Sequence, residues 1–280
     1  MKRRYFSQRS GTNPHSVGID FNTLRSMALT LYTEFERKNY FQEHFGYDCV
    51  DAGQVPGTLG EDLNTAVLFK LRKTNIWPFH EHSGLWEEDD LFDVIEFLFD
   101  HISCPEDGFY HSYCDCGWHY KTFNQTDGQS EFRDRINEIL EDYDGGYELS
   151  KEGEILRLAD TGMSHLIDAK TRTSEPRVQQ KIDSAISKFR RRGSSIEDRS
   201  DAVRDLADAL EWLKPKVKRV LHNKDESALF ELVNNFGVRH FNPKQKIEYD
   251  KPIWLSWMFY FCLSSIHASL HLIEKNSQKP

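Results

Sequence analysis

The chain has 280 residues, with 36 Lys+Arg against 45 Asp+Glu and a formal net charge of −9. Aromatic residues make up 13% and charge of both signs is mixed throughout. This is the composition of a globular chain rather than a disordered one, long enough for one large domain or two ordinary ones, and its acidic balance alone argues against nucleic-acid binding.

The first clear element is a helix over 22–41, "NTLRSMALTLYTEFERKNYF", where Leu24, Met27, Leu31 and Phe35 recur at helical spacing and Asn22 is placed to cap it. "GYDCVDAGQVPGTLGED" is rich in Gly and Pro and reads as loop. A short helix, "DLNTAVLFKLRK", follows. Next comes "EEDDLFDVIEFLFDHIS", with Asp89 or Asp90 as its cap and Leu91, Phe92, Ile95, Leu98, Phe99 and Ile102 on one face. Trp77 and Trp86, just ahead of it, read as core anchors. "GFYHSYCDCGWHYKTFNQTDG" alternates aromatic and polar residues, the pattern of one or two strands. "QSEFRDRINEILEDY" returns to helix with Phe132, Ile136, Ile139 and Leu140 inward, and "DGGYELSKEGEILRL" reads as a turn with a short hairpin.

The polar stretch "DAKTRTSEPR", 168–177, marks a domain boundary. Beyond it only helices are predicted. "PRVQQKIDSAISKFRRR" begins with a proline suited to a first helical turn. "SIEDRSDAVRDLADALEWLKPKVKRVL" carries the stripe Val203, Leu206, Ala207, Leu210 and Leu213, with Pro215 set to end or kink it. "DESALFELVNNFGV" is a third helix and "KPIWLSWMFYFCLSSIHASLHLIEK" a fourth. The fourth has no charge from Ile253 to Ile273 and is long enough to span a bilayer. Its His267, His271 and serines favour the central helix of a bundle instead, so no membrane is expected. The fold class is therefore an α+β N-terminal domain at 1–170 followed by an all-α helical bundle at 176–280, mainly helical overall. From Pro176 onward 19 Lys+Arg outnumber 13 Asp+Glu, so an acidic part precedes a basic part. The basic part would face phosphates, the acidic part, or only solvent. The basic start "MKRRYFSQRSG" lacks the apolar run of a secretory leader, and five irregularly spaced cysteines suit free thiols, so a cytoplasmic protein is expected.

Three places carry side chains suited to chemistry. His111, Cys114, Cys116 and His119 offer four metal-ligand side chains within nine residues, a set that zinc would take. In a continuous strand the two cysteines face one way and the two histidines the other, so joint ligation needs a turn, for which Gly117 is available. The alternative is a hairpin with small buried cysteines and hydrogen-bonded histidines, and no cofactor is required. His267 and His271 lie four apart on one helix face, without an acidic residue placed as in the metalloprotease pattern. The third place is "GVRHFNPKQ". Arg239 can hold a phosphate with two hydrogen bonds, His240 can act as acid or base, Phe241 can stack on a base, and Asn242 and Gln245 can hydrogen-bond RNA. Equally, Arg239 can satisfy helix-terminal carbonyls beside an Asn242-Pro243 turn.

With these residues in view, the C-terminal part resembles a HEPN domain. That family has an arginine followed by a polar residue between two helices, matched by Arg239 and His240, and a histidine four to six positions after the arginine. Positions 244–246 are Lys-Gln-Lys, so Gln245 stands about where that histidine falls. Most of the chain also resembles AbiJ-type abortive-infection proteins, through "RYFSQRSG", "LFDVIEFLFDHIS", "CGWHYKTFN", "GYELSKEGEI" and "NNFGVRHFNPKQ". The resemblance implies a phage-defence or growth-arrest toxin, a metal-independent RNA endonuclease with Arg239 and His240 as catalytic residues, and a homodimer through the C-terminal bundle pairing two Arg239 loops. Gln245 leaves open a catalytically degenerate HEPN-like module that binds RNA, a nucleotide or a protein partner.

Overall fold

Helix α1, Phe21–Arg37, begins where the Asp20 carboxylate accepts the Thr23 backbone N–H at 2.8 Å. The cap is thus Asp20 rather than Asn22, whose amide oxygen instead accepts from Arg25 at 3.0 Å. Leu24, Ala28, Leu31, Tyr32 and Phe35 form the buried face, while Met27 is turned out to solvent. The computed structural model describes residues 5–10, 12, 18–158, 163, 166–167, 173, 175–235 and 250–277. It divides into two compact units, Met1–Arg157 and Leu158–Pro280, so the stretch 168–177 falls inside the second. The described residues are mainly helical, with small antiparallel strand pairs confined to the first unit.

In the first unit, helix α2, Leu63–Leu71, is capped by Asp62. Helix α3, Glu88–Asp100, starts at Glu87, whose backbone N–H donates to Asp90 at 2.9 Å. Asp90 is therefore a capping partner within the first turn, and the cap position itself is Glu87. Three acids in that turn also lie where the helix dipole favours them. Leu91, Phe92, Val94, Ile95, Phe97, Leu98 and Phe99 are all buried, which makes α3 the central rod of this unit. Helix α4, Gln125–Leu140, is capped by Asn124 and turns Phe132, Ile136, Ile139 and Leu140 into the same core. There Phe132 meets Phe35 edge-on at 5.5 Å. Trp86 is buried and Trp77 packs against this core, as expected of anchors.

Among the described residues, four two-stranded antiparallel sheets accompany these helices. Strand β1 is Tyr47–Cys49 and β2 is Gly53–Val55, a hairpin in a stretch read above as loop. Cys104–Pro105 (β3) pairs with Phe123–Asn124 (β6), and Gly108–His111 (β4) with Gly117–Tyr120 (β5). Tyr147–Leu149 (β7) and Ile155–Arg157 (β8) form the last hairpin. It is tied to α4 by Asn137, whose amide spans the Leu149 N–H at 2.6 Å and the Leu149 carbonyl at 3.1 Å.

Among its described residues the second unit holds four long helices: α5, Pro176–Arg190; α6, Ile196–Val217; α7, Asn223–Asn235; and α8, Lys251–Ser277. Proline opens α5, and a Ser195–Asp198 capping box opens α6. Helix α6 runs past Pro215 to Val217, so the proline sits within its last turn. Val203, Leu206, Ala207, Leu210 and Leu213 are fully buried. Phe189 of α5 and Phe259 of α8 stack at 3.9 Å. Two charged residues, Arg190 and Asp205, are buried in this packing, and Asp205 accepts from Lys181 and Lys188, each at 2.6 Å, and from Ser184 at 3.1 Å. Burial alone would raise its carboxyl, but the two ammonium groups hold it below the usual range. Helix α8 is long and apolar enough to cross a membrane, and its Met258, Phe259, Cys262, Leu263 and Ile266 are buried in the core of this unit.

Candidate metal centre

Two hairpins of the first unit converge on one group of side chains: Cys49, His111, Cys116 and His119, whose ligand atoms all lie within 4.8 Å of one another. The β4–β5 register explains half of it. His111 pairs with Gly117 and Phe109 with His119, so both histidines stand on one face of the hairpin. Tyr110 and Trp118 pair on the other face and remain largely exposed. The connection between the strands supplies the third side chain of the group. Tyr113–Asp115 form a single tight turn in which Cys114 (φ 50°) and Asp115 (φ 52°) are left-handed, followed by Gly117 at φ 102°. This reversal returns Cys116 to the histidine face and leaves Cys114 exposed. The expected ligand set is corrected at one position: His111, Cys116 and His119 come together, Cys114 does not, and Cys49 takes its place.

Cys49 ends β1, 62 residues before His111, with its Sγ 3.8 Å from His111 Nδ1. The backbone N–H groups of Asp51 and Ala52 point at its sulfur and hold the thiol below its ordinary value. On the other side, Cys116 Sγ is 3.2 Å from His119 Nε2. The remaining ring nitrogen of His111, Nε2, lies 3.2 Å from the Asp51 carboxylate. Tyr47 packs on the His119 ring at 4.4 Å, and the two imidazoles meet at 5.4 Å.

The position of β5 is set from outside the cluster. Gln42 is buried, in the helical turn Gln42–Phe45, and its side-chain amide grips the strand on either side of His119. It donates to the Trp118 carbonyl at 2.9 Å and accepts the Tyr120 N–H at 2.7 Å. Gly46 then turns the chain into β1 at φ +80°, where a Cβ would overlap the Val55 carbonyl oxygen. The helical turn is thereby fixed to β5 by the Gln42 side chain and to β1 by the Gly46 backbone.

Cys49, Asp51 and Gln42 were not picked out by sequence reasoning. The usable signal was a cysteine four residues ahead of a glycine in a tight turn, and nothing local ties it to His111. His267 and His271 share one face of α8, but no third ligand group joins them among the described residues. Burial first, then the neighbouring His271, pushes the His267 imidazole down. Arg239, His240, Phe241, Asn242 and Gln245 lie outside the described residues, between the end of α7 and the start of α8.

Fold and site define a chain of two units, one carrying a Cys2His2 group between two hairpins and the other built of long helices. No protein-family model matches this chain, and no curated protein or solved structure matches it at a significant level.

Proposed function

We propose that this chain is a prokaryotic defence protein of the abortive-infection type whose C-terminal HEPN-like unit cleaves RNA without a metal ion. The observation that supports this reading is helix order. In the second unit, the stretch with Arg239 and His240 runs between two helices, α7 and α8, and the resemblance likewise puts its arginine motif between helices.

In this reading Arg239 binds the scissile phosphate and stabilises the charge that develops on it. His240 takes the proton from the attacking 2′-hydroxyl or returns one to the leaving oxygen. The second acid–base group comes from the partner subunit's loop across a homodimer cleft. Phe241 stacks on a base, and Asn242 and Gln245 position the RNA. The acidic N-terminal unit restrains the site or senses the trigger, and the protein acts in the cytoplasm.

Gln245 favours a second reading, because a glutamine carries no proton at neutral pH. There the same loop binds RNA, a nucleotide or a protein without cleaving. The test is RNA cleavage by the full-length chain and its Arg239→Ala and His240→Ala variants, in buffer without added divalent ions. Products ending in cyclic phosphate, formed by the wild type and lost in both variants, are expected. Wild-type protein that binds RNA through Arg239 without cutting it would select the second reading. Variants that keep full activity would remove the loop from both.

A further inference from the structure

We infer that Cys49, His111, Cys116 and His119 bind one Zn²⁺ as a closed tetrahedral site that staples the β1–β2 hairpin to the β4–β5 hairpin. This stands independently of the RNA reading.

The distances carry the argument first. With Zn–S near 2.3 Å and Zn–N near 2.0–2.1 Å, tetrahedral ligand atoms lie about 3.3–3.8 Å apart. The two cross-pairs here, Cys49 Sγ–His111 Nδ1 at 3.8 Å and Cys116 Sγ–His119 Nε2 at 3.2 Å, are at that spacing. No pair of ligand atoms exceeds 4.8 Å. A sulfur–nitrogen set of this kind selects zinc over the harder cations.

The surroundings are those of a metal site as well. Asp51 holds the far nitrogen of His111, fixing the tautomer in which Nδ1 is free to ligate. Gln42 fixes the strand that carries His119. Binding converts two thiols to thiolates, releases two protons to solvent and leaves a neutral centre, which suits a site partly shielded from water. Four protein ligands leave no open position, so the role is structural rather than catalytic.

There is also a need for such a staple. A two-stranded hairpin is marginal on its own. The β4–β5 pair exposes Phe109, Tyr110 and Trp118 rather than burying them in the core. Little apolar burial remains to hold it, and metal coordination supplies the missing fastening.

The test uses the full-length chain, purified under reducing conditions without chelator. Elemental analysis is expected to find one zinc per chain. Replacement of that zinc by Co²⁺ should produce thiolate charge-transfer absorption and the visible bands of a tetrahedral site. Cys49→Ser and Cys116→Ser should lose both signals, whereas Cys114→Ser should keep them. Asp51→Asn should weaken zinc binding about 10- to 100-fold. Should Cys49→Ser fail to fold, the Co²⁺ spectrum of the wild type and the Cys114→Ser and Asp51→Asn variants still decide the matter. A folded wild-type chain that takes up neither Zn²⁺ nor Co²⁺ would overturn the inference. So would a Cys49–Cys116 disulfide in place of metal, or loss of metal in Cys114→Ser with retention in Cys49→Ser.

Discussion

Replacing Gln42 with alanine should loosen β5 selectively. The side-chain amide makes two good hydrogen bonds to the strand, 2.9 Å to the Trp118 carbonyl and 2.7 Å from the Tyr120 N–H. A typical bond of this kind contributes about 1 kcal/mol net, and a backbone group left buried without a partner costs roughly 1–3 kcal/mol. Because Gln42 is itself only 7% exposed, water reaches the vacated groups poorly, so a total of about 2–4 kcal/mol is expected for opening this strand. At 1.4 kcal/mol per tenfold, amide protection over 117–120 should fall by about 30-fold to several hundred-fold. Gln42→Glu should be no rescue, since one of its oxygens would face the Trp118 carbonyl. The assay is hydrogen exchange on the intact chain, following the peptide that spans β4 and β5, with peptides from α6 as an internal control. Unchanged protection in β5, or an equal loss in α6, would refute the reasoning.

Two further outcomes concern packing and pH. Phe259→Ala removes a fully buried ring stacked on Phe189 at 3.9 Å, and should destabilise the second unit by about 3–5 kcal/mol in denaturant unfolding followed through α5–α8. His44 and His101 meet edge-on at 5.5 Å, and burial pushes both imidazoles below their ordinary value of 6.5, opposed at His44 by Glu43 and at His101 by the Phe97 carbonyl and then Asp100. The folded state therefore refuses protons that the unfolded chain accepts. Stability should be highest above about pH 6.5 and fall as pH drops through the depressed folded values. Thermal melting between pH 7.5 and 5 checks this, and a first unit whose melting is flat or rises with acid would contradict it.

The helices were the legible part of the sequence, because their apolar residues repeat at short range. The stripes Leu91–Ile102 and Val203–Leu213 are buried as their spacing requires. Ends were read less well: Asn22, Asp89 and Asp90 are all side chains able to cap, and only the path of the chain before them selects Asp20 and Glu87. The Cys2His2 group was legible by three quarters. Composition pointed to His111, Cys116 and His119, but left-handed backbone at Cys114 and Asp115 decides which cysteine turns inward. Cys49 was out of reach, since β1 and β2 have three residues each, too few to show alternation. Its partnership with His111 is set by tertiary packing alone.

The separation of 62 residues between Cys49 and His111 has a topological consequence. Once the four ligands share an ion, the chain from Cys49 to His111 becomes a ring that encloses both α2 and α3. By loop-closure arithmetic, cross-linking a ring of that size removes unfolded-chain entropy worth about 4 kcal/mol. A protease that cuts within 56–61, between β2 and α2, would open that ring and leave Cys49 on one piece and His111, Cys116 and His119 on the other. The two pieces would stay joined through the ion as well as through the packing of α1 in their shared core, so withdrawing the ion would weaken the association.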